Sequence, residues 1–236
     1  MKMRYLIKFT KEGEIKFVGH LELMRTIQRT VRRSEIPAEY SRGFNPHLVM
    51  SLAQPLSVGV YSVGEYMDLS LAEEMEIEDL INSLNQSSPN SMRFLDATKI
   101  EEFINVKKKP QAMAAVEMAS YRIKIKIKDS VKTEEQIKKL VKETEWNIVK
   151  KSKKTTKEVN IKPLIHKFDF QLKENQLIIE VLVACGSEQN LSARLLADFI
   201  AENTDFVDKE AFVDICRLEM YATKKGKLLP LIEFLK

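Results

Sequence analysis

The sequence predicts an α+β protein built from two tandem ferredoxin-like, split β-α-β units with antiparallel sheets. Three observations carry this. Short runs rich in aromatic and branched residues alternate with segments whose apolar residues recur at helical spacing. The order of those segments is β-α-β-β-α-β, and it recurs in the second half. At 236 residues the chain is long enough for two small domains.

The first unit is expected over residues 1–105. Residues 4–10 read as a strand, 11–14 as a turn and 15–18 as a short extended piece. Residues 20–34 read as a helix with Leu21, Met24, Ile27 and Val31 on one stripe. Pro37 stops it, and residues 40–47 form a loop around Gly43 and Pro46. Strands at 48–53 and 65–71, a helix at 77–84 and a strand at 92–100 complete the unit. Residues 101–119 are expected to connect the two units, with a short helix in the small-residue run after Lys107-Lys-Lys-Pro110.

The second unit is expected over residues 119–236. Tyr121-Arg-Ile-Lys-Ile-Lys-Ile-Lys128 alternates strictly and is the clearest strand in the chain. A helix at 133–144 should turn Ile137, Leu140 and Val141 inward. Strand-like runs follow at 146–151, 157–161, 165–173 and 176–184, so this unit carries an extra hairpin. Ser192 is the expected N-cap of a helix striped with Leu195, Leu196, Phe199 and Ile200. Residues 212–222 read as the last strand.

Composition excludes several function classes. Only 7 glycines are present, about 3% against a usual ~7%. Neither a dinucleotide-binding glycine fingerprint nor a phosphate-binding P-loop occurs. Cys185 and Cys216 are too few for a disulfide scaffold, a four-thiolate zinc site or an iron–sulfur cluster, and are expected to be buried free thiols. No metal ion or cofactor of its own is expected. The charged first residues do not read as a signal peptide, and no apolar run reaches the ~18 residues of a membrane span. A cytoplasmic protein without membrane contact is therefore expected.

Net charge is +4 but unevenly spread. Residues 1–50 carry ten Lys/Arg against five Asp/Glu, and residues 111–170 carry fifteen against eight. Residues 51–110 and 171–236 are net acidic. Concentrated basic stretches under a mild global charge fit a local polyanion-facing surface. Two ordinary solvated lysine faces would give the same counts.

On a wheel of about 100° per residue starting at Leu21, Arg25, Arg29, Arg32 and Arg33 fall near 40°, 80°, 20° and 120°, away from the apolar stripe. Arginine suits phosphate forks and base stacking, although Glu22 could neutralise part of the row. In the loop, Arg42, Phe44 and Asn45 are a candidate base-contacting set, with Phe44 as a stacking platform or, alternatively, a loop anchor packed into the core. In the lysine strand, Lys124, Lys126 and Lys128 would line one face with Arg122, while Ile123, Ile125 and Ile127 are buried on the other. Of the three histidines, His20 sits at a helix start and His47 closes the loop. Together with Glu22 and Glu65 they are candidate acid/base residues.

Three stretches resemble a known family: Phe17-Val-Gly-His-Leu-Glu-Leu-Met-Arg25, Tyr40-Ser-Arg-Gly-Phe-Asn-Pro-His47 and Ser51-Leu-Ala-Gln-Pro-Leu-Ser-Val-Gly59. They are similar to the radical-SAM-linked (radical-SAM-associated) bacterial proteins, a family of unknown function. The resemblance is strongest over residues 4–70. It departs at Glu22, where the pattern carries Asp, and at Leu48-Val49, where it tends to carry Pro-Lys. It implies a partner, a radical SAM protein with a cobalamin-binding domain. The chain itself lacks the three-cysteine motif that holds a radical SAM cluster. The tandem plan is also similar to RAMP RNA-processing proteins and some pseudouridine synthases, at the level of fold only.

The first expectation is thus a non-catalytic accessory protein of a cobalamin/radical SAM enzyme that binds tRNA or rRNA. The second is an RNA-processing or RNA-modifying enzyme using His20 and His47 as acid and base. The third is a protein-interaction module docking an acidic partner.

Overall fold

The computed structural model describes residues 3–101, 109–151 and 156–236. Lys107 and Lys108, in the expected connection, lie outside them.

In chain order the elements are β1 (Met3–Lys11), α1 (His20–Arg33), β2 (Met50–Leu52), β3 (Tyr61–Leu71), α2 (Ile77–Gln86), β4 (Phe94–Ile100) and α3 (Ala112–Ala115). There follow β5 (Met118–Lys126), α4 (Ser130–Lys142), β6 (Asn147–Lys151), β7 (Thr156–Asn160), β8 (Ile165–Lys173), β9 (Gln176–Ala184) and α5 (Ala193–Glu202). The chain closes with β10 (Asp214–Lys224), β11 (Lys227–Pro230) and α6 (Leu231–Phe234).

Two compact units result: Met1–Glu117 with Arg217–Lys236, and Met118–Cys216. This corrects the expected division. The first unit is not confined to residues 1–105, and residues 217–236 do not belong with the second. The reason is local to the first unit: the C-terminal segment is fixed there by burial of Leu231 and Leu235, which are fully covered. Strand β11 and helix α6 were not expected from the sequence.

In the first unit, β1 lies between β4 and β3, antiparallel to both, and β2 pairs with β3 opposite residues 67–69. Read along the sheet this is the 4-1-3-2 order of a ferredoxin-like fold. Strand period two puts Tyr5, Ile7 and Phe9 on one face with Met67, Leu69 and Leu71, where they pack with Leu23, Ile27 and Val31 of α1 and Leu80 and Leu84 of α2. Leu21, expected on that stripe, is exposed, and Leu23 takes the inward position. Residues 13–17 form a 3₁₀ turn rather than an extended piece.

The other face of this sheet is also covered. Leu6, Tyr66 and Asp68 are buried there. The Ala112 backbone N–H at α3 donates to Asp68 Oδ2 at 2.7 Å, and Arg4 donates to the carbonyls of Lys109 and Pro110 at 2.9 and 3.2 Å. Burial pushes the Asp68 carboxyl above its ordinary value, with the Ala112 N–H and the Arg4 charge opposing. Burial and the nearby Glu219 carboxylate push the Tyr66 phenol up as well.

In the second unit, β9 lies between β5 and β8, antiparallel to both, and β6 and β7 form the separate hairpin. Ser192 caps α5 as expected, accepting from the Leu195 N–H at 3.5 Å, and Asp129 caps α4. Ile137 and Leu140 face inward, whereas Val141 is exposed. Trp146 stacks on Phe199 and meets Phe168 edge-on, filling this core. Cys185 and Cys216 are buried thiols, with no disulfide between them.

Candidate functional site

Helix α1 begins at His20, and its N-cap, Gly19, offers no side-chain cap. Its arginines divide by partner. Arg25 is paired with Glu22 on the same helix. Arg33 donates to the Ser87 carbonyl at the end of α2 at 2.6 Å. Arg29 and Arg32 are exposed and, among the described residues, have no ion-pair or hydrogen-bond partner. Half of the expected row therefore has partners within the first unit, and two guanidiniums have none among the described residues.

The loop after α1 is closed at its base and open at its tip. The Ser41 N–H donates to the His47 carbonyl at 2.7 Å, and the His47 N–H donates to Ser41 Oγ at 2.9 Å. Tyr40 and Leu48 bridge just outside that pair. Gly43 has φ +124°, a conformation that side chains rarely adopt. Arg42, Phe44, Asn45 and His47 are all exposed, Phe44 fully so. The core-anchor alternative for Phe44 is excluded, because its ring touches no core.

The four candidate acid/base residues occupy different settings. His47 is exposed on the loop, and Glu22 is held by Arg25 on the surface. His20 is half-buried, and its Nδ1 is buried without a hydrogen-bond partner among the described residues. Glu65 is 2% exposed and ion-paired to Arg217, itself 2% exposed, at 2.9 Å. The candidate Glu65 is therefore buried and committed to Arg217 rather than open at the surface. Among the described residues no group of three His, Cys, Asp or Glu could hold a metal ion.

Sequence reasoning missed what surrounds Glu65. Lys11 is buried beside the pair and donates to the Lys16 carbonyl at 3.3 Å. Burial pushes its amine below the ordinary lysine range, with the Glu65 charge opposing and the Arg217 charge adding. Arg217 also donates to the Gln54 and Pro55 carbonyls at 3.2 and 3.1 Å. The Gly59 N–H then donates to the Lys16 carbonyl at 2.8 Å. Residues 54–59 are thus fixed between a buried cation and the segment leading into α1. A lone arginine in a strand-like run gave no sequence signal for this.

In the second unit Ile123, Ile125 and Ile127 are buried, as the alternation requires. Lys126 and Lys128 are exposed and Lys124 is half-buried. The cationic face is not uniform: Arg122 pairs with Glu180 across the strands at 2.7 Å, and Lys167 pairs with Asp169 at 2.8 Å.

Among the described residues no helix is long and apolar enough to cross a membrane. No curated protein matches the chain. Among solved structures, the crystal structure of a Cbf5-Nop10-Gar1 complex aligns at 12% identity with a TM-score of 0.49. The alignment covers 92% of this chain and 48% of that one, so this chain spans about half of its length. The likeness is too distant to carry function. A model of a bacterial family described as an uncharacterized conserved protein, DUF2344, matches residues 4–193, and the chain belongs to that family.

Proposed function

We propose that the protein is an RNA-binding accessory factor that presents tRNA or rRNA to a cobalamin-dependent radical SAM enzyme. The observation that carries the RNA reading is the fully exposed Phe44 on a loop closed at its base, with Arg42 on the same loop. An aromatic ring held in water costs solvation unless something stacks on it, and an unpaired base is a sequence-tolerant partner for such a ring. Arg29 and Arg32, free on α1, would take phosphates.

The covered sheet of the first unit limits where RNA could bind. Ferredoxin-like RNA-binding domains of the RRM type stack bases on the sheet face opposite their helices. In this chain that face holds buried Tyr66 and Asp68 under α3 and α6. RNA contact in this unit then falls to α1 and its following loop. The enzyme partner rests on the resemblance of the Phe17–Arg25, Tyr40–His47 and Ser51–Gly59 stretches.

The test is binding of fluorescent tRNA and rRNA fragments to the purified chain, followed by Phe44→Ala and Arg29→Gln/Arg32→Gln. Loss of binding in both variants with unchanged melting supports the reading. Absence of any RNA affinity at low salt rejects it.

A further inference from the structure

A second surface lies at the start of α1. Phe17, Leu21 and Val58 are large apolar residues that are 57%, 72% and 61% exposed. Phe17 and Leu21 stand two residues to either side of Gly19, and Val58 lies against it. A Cβ built on Gly19 would lie 4.0 Å from Val58 Cγ2, so the valine lies over the bare backbone of the helix entrance. Scattered exposed apolar residues are ordinary, but three around one backbone point form a patch.

The patch is held in place from beneath. Arg217, paired with Glu65, grips the carbonyls of Gln54 and Pro55, and Gly59 is bonded to Lys16. A buried ion pair therefore positions the loop that carries Val58. Anchor pockets of protein interfaces need this kind of preorganisation.

Charge around the patch selects the occupant. The Lys16 ammonium sits over the Phe17 ring at 5.1 Å. Arg25, Arg29 and Arg32 continue from Leu21 along the same face of α1. Glu14 is exposed nearby, and Glu22 is bound to Arg25, so cations remain in excess. Two copies of this chain would bring like charges together. We propose that this patch docks a protein partner that presents one or two apolar side chains flanked by aspartate or glutamate. The patch shares Arg29 and Arg32 with the proposed RNA surface but not Phe44, and a crosslink at position 58 reads its protein occupant directly, whether or not RNA binds the loop.

The experiment places the photo-crosslinker p-benzoylphenylalanine at position 58 in the native bacterium. A control carries it at position 131, where Val131 is 68% exposed on α4. The expected result is a protein adduct at 58 and not at 131. Its linked peptide carries an apolar residue beside at least two Asp or Glu. Leu21→Glu should reduce the adduct about tenfold, because it adds an unmatched charge to an apolar contact, while melting stays as in the parent. No adduct, an adduct to a second copy, to RNA or to lipid, or a linked peptide without acidic residues overturns the inference.

Discussion

Arg217 on β10 and Glu65 on β3 are separated by 152 residues in sequence and joined by hydrogen bonds of 2.9 and 3.2 Å. Both side chains are buried, with Lys11 close by as a second cation. A fully desolvated pair of this kind is costly to break and cheap to replace, because removing one partner leaves an uncompensated charge.

Glu65→Gln should therefore lower stability by about 3–5 kcal/mol. The double variant Glu65→Leu/Arg217→Met should recover part of that loss. Recovery stays incomplete, since Lys11 then lacks its counter-charge. Urea denaturation of the three proteins checks this. A Glu65→Gln protein as stable as the parent would show that the pair is not stabilising.

The arginines of α1 should separate by role. Arg29→Gln/Arg32→Gln should leave melting unchanged and reduce the salt slope of RNA binding by about 1.4, at ~0.7 per single-strand phosphate. Arg33→Gln should instead cost stability of about 1 kcal/mol, because it removes the hydrogen bond to the Ser87 carbonyl. Measuring both properties on both variants tests the assignment.

Phe44→Ala should weaken binding to single-stranded RNA by about 1–3 kcal/mol, the worth of one base stacked on an aromatic ring. Its melting temperature should match the parent, since the ring packs against nothing. Fluorescence anisotropy with a single-stranded and a duplex probe separates stacking from charge. Equal loss on both probes would count against stacking.

The lysine strand makes a weaker but definite demand. Changing Lys124, Lys126 and Lys128 together to Gln should shrink the salt slope by about two units. An unchanged slope would mean that these cations only keep the sheet face soluble. Glu180 and Asp169, already paired to neighbouring cations, make that second outcome the sharper contrast with α1.

Asp68 sets a pH dependence. Its carboxyl is raised in the folded state above the ordinary value of 3.8. The native state therefore holds the proton to higher pH than the unfolded chain. The stability it contributes is complete below the unfolded value and is lost as pH rises through the folded one. Asp68→Asn should remove that slope, so the parent-minus-variant difference in unfolding free energy should fall from pH 4 upward. A difference flat with pH would sink the assignment.

What the sequence determined by itself was local. The strict Ile/Lys alternation over 121–128 fixed a strand with a buried face, and the 3.6-residue spacing of Ile27 and Val31 fixed the inward side of α1. Ser192 announced its helix because a hydroxyl at that position satisfies an orphan N–H. The loop at 40–47 was legible from Gly43 and Pro46, but whether Phe44 anchors it in the core or stands in water was left to the tertiary structure. Tertiary structure decided the rest. Periodicity cannot say whether a polar strand residue meets water or other chain, so the burial of Tyr66 and Asp68 on one face of β3 and of Glu65 on the other was not legible. It cannot pair residues distant in sequence, so Arg217 and the return of residues 217–236 to the first unit were invisible. Nor could it divide the α1 arginines: Arg33 is committed because the end of α2 arrives beside it, while Arg29 and Arg32 have no partner among the described residues.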